Sequence, residues 1–524
     1  MNTNPFFILL FLQVLIFLAE SFVFCKHALL MFQQNRYELY RYSKWFFYKK
    51  NIRFNASYVY ALIVLVISII FKNNLLIVLA LTIIFAIYSL YKEINKVYIK
   101  DLVLTARVKR QIVVLSILMF LFTLAAVIVF PPFVTGILMI IVPYLMIYLM
   151  AVITLPMENL IKKHYENEAR DILDNNSRLI KIGITGSYGK TSTKNIISDI
   201  ISDDFFTLIT PASYNTPMGI TRTVREMLKP VHEVFVCEMG ADKVGDIEYL
   251  MDFVKPRYGI VTSIGPQHLN TFHSLGNIIN EKMKEVEMLP SDGTAFINLD
   301  NEYIAGYHIK NTCKVVSVGI DNKDADLVAE NISYDKDGSS FTAVINGEEY
   351  EFKTSLLGKH NITNILIGIA LALELGMDMA TIAKKVKRIR QVEHRLEVKK
   401  INGFTFIDDA FNSNPVGSKM ALDVLSMMPG QKVIVTPGMI DLGVKEDEIN
   451  KSFGEYMLNK ADKVILVGEK QTRKIKEGLV ESGFNEDDII VFATVKEAFN
   501  YIYRNFTPDD TILLENDLPD AFNI

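Results

Sequence analysis

The chain of 524 residues carries 55 Lys and Arg against 59 Asp and Glu, a formal net charge of -4. That length suggests roughly three or four units of about 150 residues, and with no block of Lys and Arg interleaved with aromatics in the polar part, nucleic-acid binding has no footprint. The three cysteines, Cys25, Cys237 and Cys313, lie far apart without metal-ligand spacing, which excludes a disulfide framework and a zinc site and suits isolated thiols in a reducing compartment.

Five apolar runs crowd residues 1–155: Phe6 to Phe24, Ala56 to Phe71, Leu75 to Tyr91, Ile112 to Phe130 and Phe133 to Leu155. Most approach the roughly 20 residues that cross a bilayer as a helix, and the second and third are short enough for a hairpin turning at Lys72-Asn73-Asn74. Because other spans follow it, the first run reads as an integral segment and not as a cleaved signal peptide. Lys26, Arg36, Arg41, Lys44, Lys49, Lys50 and Arg53 follow the first run, and Lys92, Lys96, Lys100, Arg107, Lys109 and Arg110 follow the third; the opposite connections offer only Lys72. By the positive-inside rule the N-terminus is outside and everything after Leu155 is cytoplasmic, which describes a multi-pass cell-membrane protein. Glu20 falls inside the first run, where a central charge costs about 2.5–3.5 kcal/mol. One turn from the expected cytoplasmic end it can snorkel; a proton or substrate site is the alternative.

A polar helical link over residues 156–180 leads to segments rich in Val, Ile and Phe that alternate with helical patterns, the mark of parallel α/β layers. Strands are expected at Lys181 to Thr185, Val234 to Glu238, Tyr258 to Ser263 and Ala295 to Asn298. A second series runs through Thr405 to Asp408, Lys432 to Thr436, Lys463 to Val467, Ile489 to Phe492 and Thr511 to Leu514. The expected organisation is an α-helical membrane region, then α/β domains over residues 181–390 and 391–524.

The stretch from Lys181 reads KIGITGSYGKTSTKNIISDI, a β-branched strand feeding a Gly-bearing turn into a helix, which is how a backbone loop cradles phosphates at a helix N-terminus. A full-length P-loop would need Gly at position 184, where Ile184 stands; the loop is the shorter Gly186-Ser187-Tyr188-Gly189-Lys190-Thr191-Ser192. Lys190 would neutralise β/γ-phosphate charge and Thr191 would offer its hydroxyl to Mg²⁺. An ordinary strand-to-helix turn is the competing reading. Glu238 ends the apolar strand in VFVCEMGA, where a carboxylate meets a cation beyond a parallel sheet's C-terminal edge. His268 follows another strand in VTSIGPQHLNTF, and Lys282 comes fourteen residues later. Each alone could be a satisfied core or surface residue; four in order point to a nucleotide site.

With TGSYGKTS, EMGADKVGDIEYL, SIGPQHLNTFHSLGNIINEK, GTAFINLDN, LLGKHNITNILIGIALALELG, HRLEV and IDDAFNSNP in this order, the chain from about Lys181 to Asn516 resembles the Mur ligase superfamily. Its nearest resemblance is to the branch that adds D-alanyl-D-alanine to UDP-N-acetylmuramoyl-tripeptide. The resemblance implies a P-loop ATPase central domain and a Rossmann-like C-terminal domain. It assigns Gly186, Ser187, Gly189, Lys190, Thr191 and Ser192 to the ATP phosphates, Asn298 to adenine, and Asp409 to the ribose or to loop positioning. Arg395 would reach ATP from the C-terminal domain, and His360 and Asn361 would lie near the nucleotide. Thr191, Glu238 and His268 would hold Mg²⁺, of which two ions are implied, and Lys282 would join them as a carbamate. The implied chemistry is attack of a carboxylate on the ATP γ-phosphate to give an acyl phosphate, followed by displacement of phosphate by an amine.

Two departures bear on the substrate. Soluble members begin with a domain that grips a UDP-sugar, but here about 25 residues separate the last apolar run from the phosphate loop and the membrane region takes its place. At the C-terminus, where a Lys-Gly-Ser-like turn would follow the last strand, the chain reads Leu514-Glu515-Asn516-Asp517-Leu518-Pro519-Asp520, an acidic ending that either receives a cationic amine or is a solvated tail. Asn414 to Ser418 lack the Asp-Ser expected after Asn-Pro, and Phe411 replaces a Tyr. The expected activity is a membrane-anchored carboxylate–amine ligase acting on a soluble or lipid-linked envelope precursor with an amino acid or dipeptide as the amine, with partner subunits open. A poly-γ-glutamate synthase-like polymerase and a nucleotide-binding membrane scaffold are the alternatives.

Overall fold

The computed structural model describes residues 5–47, 66, 70, 75–95, 101–212, 214–335, 338–391, 395–410, 415–439, 442 and 445–516. The chain divides into two compact units, Met1–His164 and Tyr165–Ile524. Most of the apolar run Ala56 to Phe71, the turn at Lys72-Asn73-Asn74, the basic residues Lys49, Lys50, Arg53, Lys96 and Lys100, and Phe411, Asn414 and Asp517 to Asp520 lie outside the described residues.

The first unit is helical: α1 Pro5–Gln34, α2 Leu39–Phe46, α3 Leu75–Ile94, α4 Ala106–Val129 and the start of α5 Pro132–Asp174. Among the described residues three helical segments are long and apolar enough to cross a membrane, Val14–Gln34, Ala106–Val129 and Val134–Asp174. Thr105 caps α4, accepting from the Val108 N–H at 3.2 Å. The buried residues of α4, Val108, Gln111, Leu115, Met119, Thr123 and Ala126, recur every three or four positions and make one inward stripe. Glu158 on α5 takes a bidentate pair from Arg110 with both contacts at 2.8 Å. The polar residues expected as a link after Leu155 continue α5 without a break to Asp174. Glu20 does not snorkel: it is fully buried and bonded to Ser89 of α3.

In the second unit the elements begin with β1 Ile180–Thr185, α6 Lys190–Ile201, β2 Thr207–Ile209, α7 Pro217–Met227, β3 Val234–Glu238, α8 Asp246–Val254, β4 Tyr258–Val261, α9 Leu269–Phe272, α10 Leu275–Glu287, β5 Thr294–Asn298, α11 Glu302–Ala305 and β6 Lys314–Gly319. A meander of β7 Leu327–Asp335, β8 Gly338–Ile345 and β9 Glu348–Thr354 precedes α12 Lys359–Glu374 and α13 Met379–Val386. The nine strands form one sheet in the order β2-β3-β1-β4-β5-β6-β7-β8-β9, parallel as far as β7 and antiparallel beyond. Strands covered on both faces must be apolar throughout, and β3 and β4 are buried at every position. Ile196, Ile200, Ile365 and Leu366 of α6 and α12 cover one face; Ile220, Leu250, Ile278 and Val286 of α7, α8 and α10 cover the other.

The C-terminal part contains β10 Glu397–Ile401, β11 Phe404–Asp409, α14 Pro415–Met427, β12 Lys432–Thr436, α15 Glu446–Tyr456, β13 Lys463–Val467, α16 Arg473–Glu481, β14 Ile489–Phe492, α17 Val495–Asn505 and β15 Thr511–Glu515. Its sheet order is β10-β11-β15-β12-β13-β14, with only β10 antiparallel. All nine expected strands are present within two residues of their expected ends. Sequence reading missed β2, β6, the β7–β9 meander and β10, which are short, partly exposed or alternating in polarity.

Candidate active site

The turn between β1 and α6 is built on two glycines. Gly189 caps α6 at φ +83°, and Gly186 has φ +148° with a position where a Cβ would lie 2.1 Å from Thr262 Oγ1, so neither tolerates a side chain. The loop is tied to the exit of β4. The Ser187 N–H donates to Ser263 O at 2.6 Å, the Ser187 hydroxyl donates to Gly265 O at 3.0 Å, and Thr262 Oγ1 donates to Tyr188 O at 2.5 Å. Lys190 folds over the turn, its Nζ donating to Gly186 O at 2.5 Å and Ser187 O at 3.2 Å. Burial holds the Lys190 ammonium below the ordinary lysine range, and the Glu238 charge partly offsets this. Ser192, also buried, lies in the first turn of α6.

Glu238 occupies the end of β3 and is 1% exposed. Its Oε2 accepts from Thr191 Oγ1 and Lys194 Nζ, both at 3.0 Å, and its Oε1 accepts from Asn215 Nδ2 at 3.1 Å. Burial alone would raise this carboxyl, but the charges of Lys194 and Lys190 and these hydrogen bonds hold it below the usual range. Lys194, which also donates to Ala212 O at 2.6 Å, was missed in the sequence. In the structure it lies among the buried Thr193, Ile196 and Ile197 of α6, a setting that the sequence does not mark.

His268 caps the short α9 in the left-handed region at φ +54°, with Nε2 3.5 Å from Asp242 Oδ1. Asp242, likewise missed, exerts its charge on both Lys190 and Lys282. Lys282 on α10 is 2% exposed. Burial and then the Lys190 charge push its amine down to about 7, against the pull of Glu281, Asp242 and Glu285. Glu281 caps α8, accepting from Ile247 N–H at 2.6 Å and Gly245 N–H at 2.9 Å, and so joins the Lys282 helix to the loop bearing Asp242. Glu285, one turn on, is fully buried with neither oxygen bonded to any partner among the described residues, and burial pushes it up to about 8.

Asn298 ends β5 and donates to Thr262 O at 3.1 Å, bracing the strand end that pins the turn between β1 and α6. His360 and Asn361 lie in the first turn of α12. Burial, then the Arg395 charge, pushes His360 down to about 4, and Asn361 donates to Leu357 O at 2.9 Å. Arg395, from the C-terminal part, is lowered by burial and held up by Asp409 and Glu238, so its charge is shared between the two sheets. Asp409 accepts from Leu396 N–H at 3.1 Å and is pushed up to about 6 by burial, with Arg395 opposing. Glu515, the last residue of β15, is buried and accepts from the Ser418 hydroxyl at 2.6 Å.

The donors fit a hard divalent cation. Thr191 and Glu238 offer adjacent oxygens, and Lys282 would add oxygen ligands once carbamylated, a reaction that its neutral form permits. Among the described residues no group of three His, Cys, Asp or Glu could hold a metal alone; such a partial shell is what Mg²⁺ shared with substrate phosphates uses.

Residues 184–372 match the Mur ligase middle domain and residues 394–515 the Mur ligase, glutamate ligase domain. Two relatives are named UDP-N-acetylmuramoyl-tripeptide--D-alanyl-D-alanine ligase. That of Bacillus subtilis (strain 168) is 29% identical over 338 residues, 64% of this chain and 72% of that protein. That of Escherichia coli (strain K12) is 29% identical over 297 residues, 56% of this chain and 65%, just under two thirds, of that protein. In fold, MurF from Acinetobacter baumannii gives a TM-score of 0.61 at 24% identity, covering 68% of this chain and 77% of its own. The MurF ligase from Thermotoga maritima in complex with ADP gives 0.62 at 22% identity, covering 68% and 80%. Matched in both domains between residues 184 and 515 and related in sequence to these ligases, the chain belongs to the Mur ligase family, whose members are ATP-dependent and ADP-forming.

Proposed function

We propose that the protein is a membrane-anchored ligase that joins a carboxylate of a peptidoglycan-type or other envelope precursor to the amine of an amino acid or dipeptide, converting ATP to ADP and phosphate. The observation that carries this reading is the contact of Thr191 with Glu238 next to Lys190, two oxygen donors beside an ammonium where a glycine-bearing turn opens a helix N-terminus. Gly186, Ser187, Gly189 and the first N–H groups of α6 cradle the phosphates. Lys190 leaves the loop carbonyls for the β/γ-phosphates, offsetting charge that grows as the substrate carboxylate attacks. Thr191, Glu238, His268 and carbamylated Lys282 would hold magnesium, which supplies charge neutralisation and orientation of the phosphates. Asn298, His360 and Asn361 line the nucleotide side. Arg395, anchored by Asp409, brings the C-terminal part over the ATP and excludes water that would hydrolyse the acyl phosphate.

The membrane assignment rests on three apolar helical segments, on the outward Val113, Ile117, Leu121 and Ile128 of α4, and on the basic segments that the positive-inside rule turns toward the cytoplasm. An apolar outer face of that kind suits lipid. Residues 1–183 lie outside both matched domains, and a membrane unit in that place favours a lipid-linked or export-bound carboxylate.

The test is ADP release by the detergent-purified full chain given soluble and lipid-linked envelope precursors with a pool of amino acids and dipeptides. Turnover that needs both precursor and amine, and is lost in Lys190→Ala and Lys282→Ala, supports the ligase. A single added mass identifies one ligation, whereas a ladder identifies a polymerase. ATP binding without stimulated turnover in any mixture overturns the proposal.

A further inference from the structure

Within the Met1–His164 unit a carboxyl group is buried in a way that assigns its proton. Glu20 of α1 is fully buried, and Ser89 of α3 places its Oγ 2.6 Å from Glu20 Oε1. The same Oγ lies 2.9 Å from the carbonyl oxygen of Ala86, one turn earlier on α3. A serine hydroxyl has one proton, and a backbone carbonyl only accepts. With Glu20 ionised, two acceptors would compete for that proton. With Glu20 protonated, its O–H donates to Ser89 Oγ, Ser89 donates to Ala86 O, and both short contacts are full hydrogen bonds.

The other oxygen points the same way. Glu20 Oε2 is buried with no hydrogen-bond partner among the described residues, a modest penalty for the carbonyl oxygen of a neutral acid and a severe one for a carboxylate. Among the described residues the titratable groups of these elements nearest in sequence are Cys25, Lys26 and His27 on α1 and Tyr88 and Tyr91 on α3, of which Lys26, Tyr88 and Tyr91 are exposed; Tyr42 of α2 and Tyr144 of α5 are buried, with His27 Nδ1 2.7 Å from the Tyr144 hydroxyl. The buried stripe of α4 offers Gln111 and no charge. Lys92 of α3 is exposed, and Arg110 is committed to Glu158. The apolar neighbours Phe17 and Phe24 close off the same face of α1.

We propose that Glu20 and Ser89 form a proton-binding site inside the helical unit, with the proton resident on Glu20 at neutral pH. The ligand is the proton itself, and the site is separate from the ligation chemistry.

Infrared difference spectroscopy on the full chain in detergent micelles tests it, with wild type compared against Glu20→Gln and Ser89→Ala at neutral pH. The expected result is a carbonyl stretch of a protonated carboxyl that is lost in Glu20→Gln and moves to higher frequency in Ser89→Ala, where the acid has lost its hydrogen-bond acceptor. A wild-type minus Glu20→Gln spectrum with only carboxylate stretches overturns the site, and so does a protonated-carboxyl band unmoved by Ser89→Ala. Should Glu20→Gln fail to fold, the Ser89→Ala comparison decides alone.

Discussion

Lys194 and Glu238 form an ion pair closed off from solvent, Nζ 3.0 Å from Oε2, with side-chain exposures of 0% and 2%. The oxygen that Lys194 holds is also the one that Thr191 touches, so a helix and a strand far apart in sequence fix one carboxylate beside the turn between β1 and α6. A carboxylate has about four lone-pair sites, and three are used by Thr191, Lys194 and Asn215. The remaining one, on Oε1, has no protein donor among the described residues and suits a cation.

Removing Lys194 leaves the Glu238 charge buried with its main counter-charge gone. Lys194→Met is expected to cost about 3–5 kcal/mol, read as a lowered denaturant midpoint. Pairing it with Glu238→Gln should recover part of that loss, because the stranded charge is then absent as well.

Gly186→Ala would place a methyl group against Thr262 Oγ1 at a backbone angle that L-residues rarely adopt. The expected stability cost is about 1–3 kcal/mol. Displacing the loop by about 1 Å should cut ADP formation about a hundredfold, which initial rates at saturating ATP would measure.

Lys282 stands at about 7 in the folded chain against an ordinary 10.5. Between these values the unfolded chain holds a proton that the folded one lacks, so this residue's contribution makes stability rise with pH from about 7 upward. The free amine also becomes the major form above about pH 7. Uptake of ¹³C-labelled bicarbonate as a carbamate signal should increase from pH 6 to pH 8 in wild type and be absent in Lys282→Met.

Glu285 contributes with the opposite sign. Its folded value of about 8 against 4.5 means the folded chain keeps a proton that the unfolded one releases, so the stabilisation is complete below about pH 4.5 and fades as pH rises to about 8. In Glu285→Gln the stability difference from wild type should therefore grow in the variant's favour across that window, as denaturant midpoints at pH 5 and pH 8 would report.

Arg395 lies beyond the central domain yet shares electrostatic ground with Glu238, Lys190 and His360. Arg395→Ala should lower kcat about 10²–10³-fold, the scale on which preorganised donors act in transition states. Stability should fall as well, because buried Asp409 loses the charge that offsets its burial.

The sequence by itself determined the strand-helix alternation of both α/β domains, because parallel strands covered on both faces must be apolar through their interior, as in the Val-Phe-Val-Cys of Val234–Glu238 and the Val-Ile-Leu-Val of Lys463–Val467. It also determined the glycine-bearing turn between β1 and α6, whose glycines and Lys190-Thr191 lie together in the chain. Only tertiary structure decided what completes the site. Lys194 reads as a surface lysine until β3 brings Glu238 from 44 residues away, and Glu281 reads as solvated until it caps α8. The same holds for Glu20, which could have reached water and instead meets Ser89 of another helix. The physical reason is common to all three: a charged side chain's role depends on the partner that burial supplies, and hydrophobic periodicity records which face is buried without recording which polar group waits there.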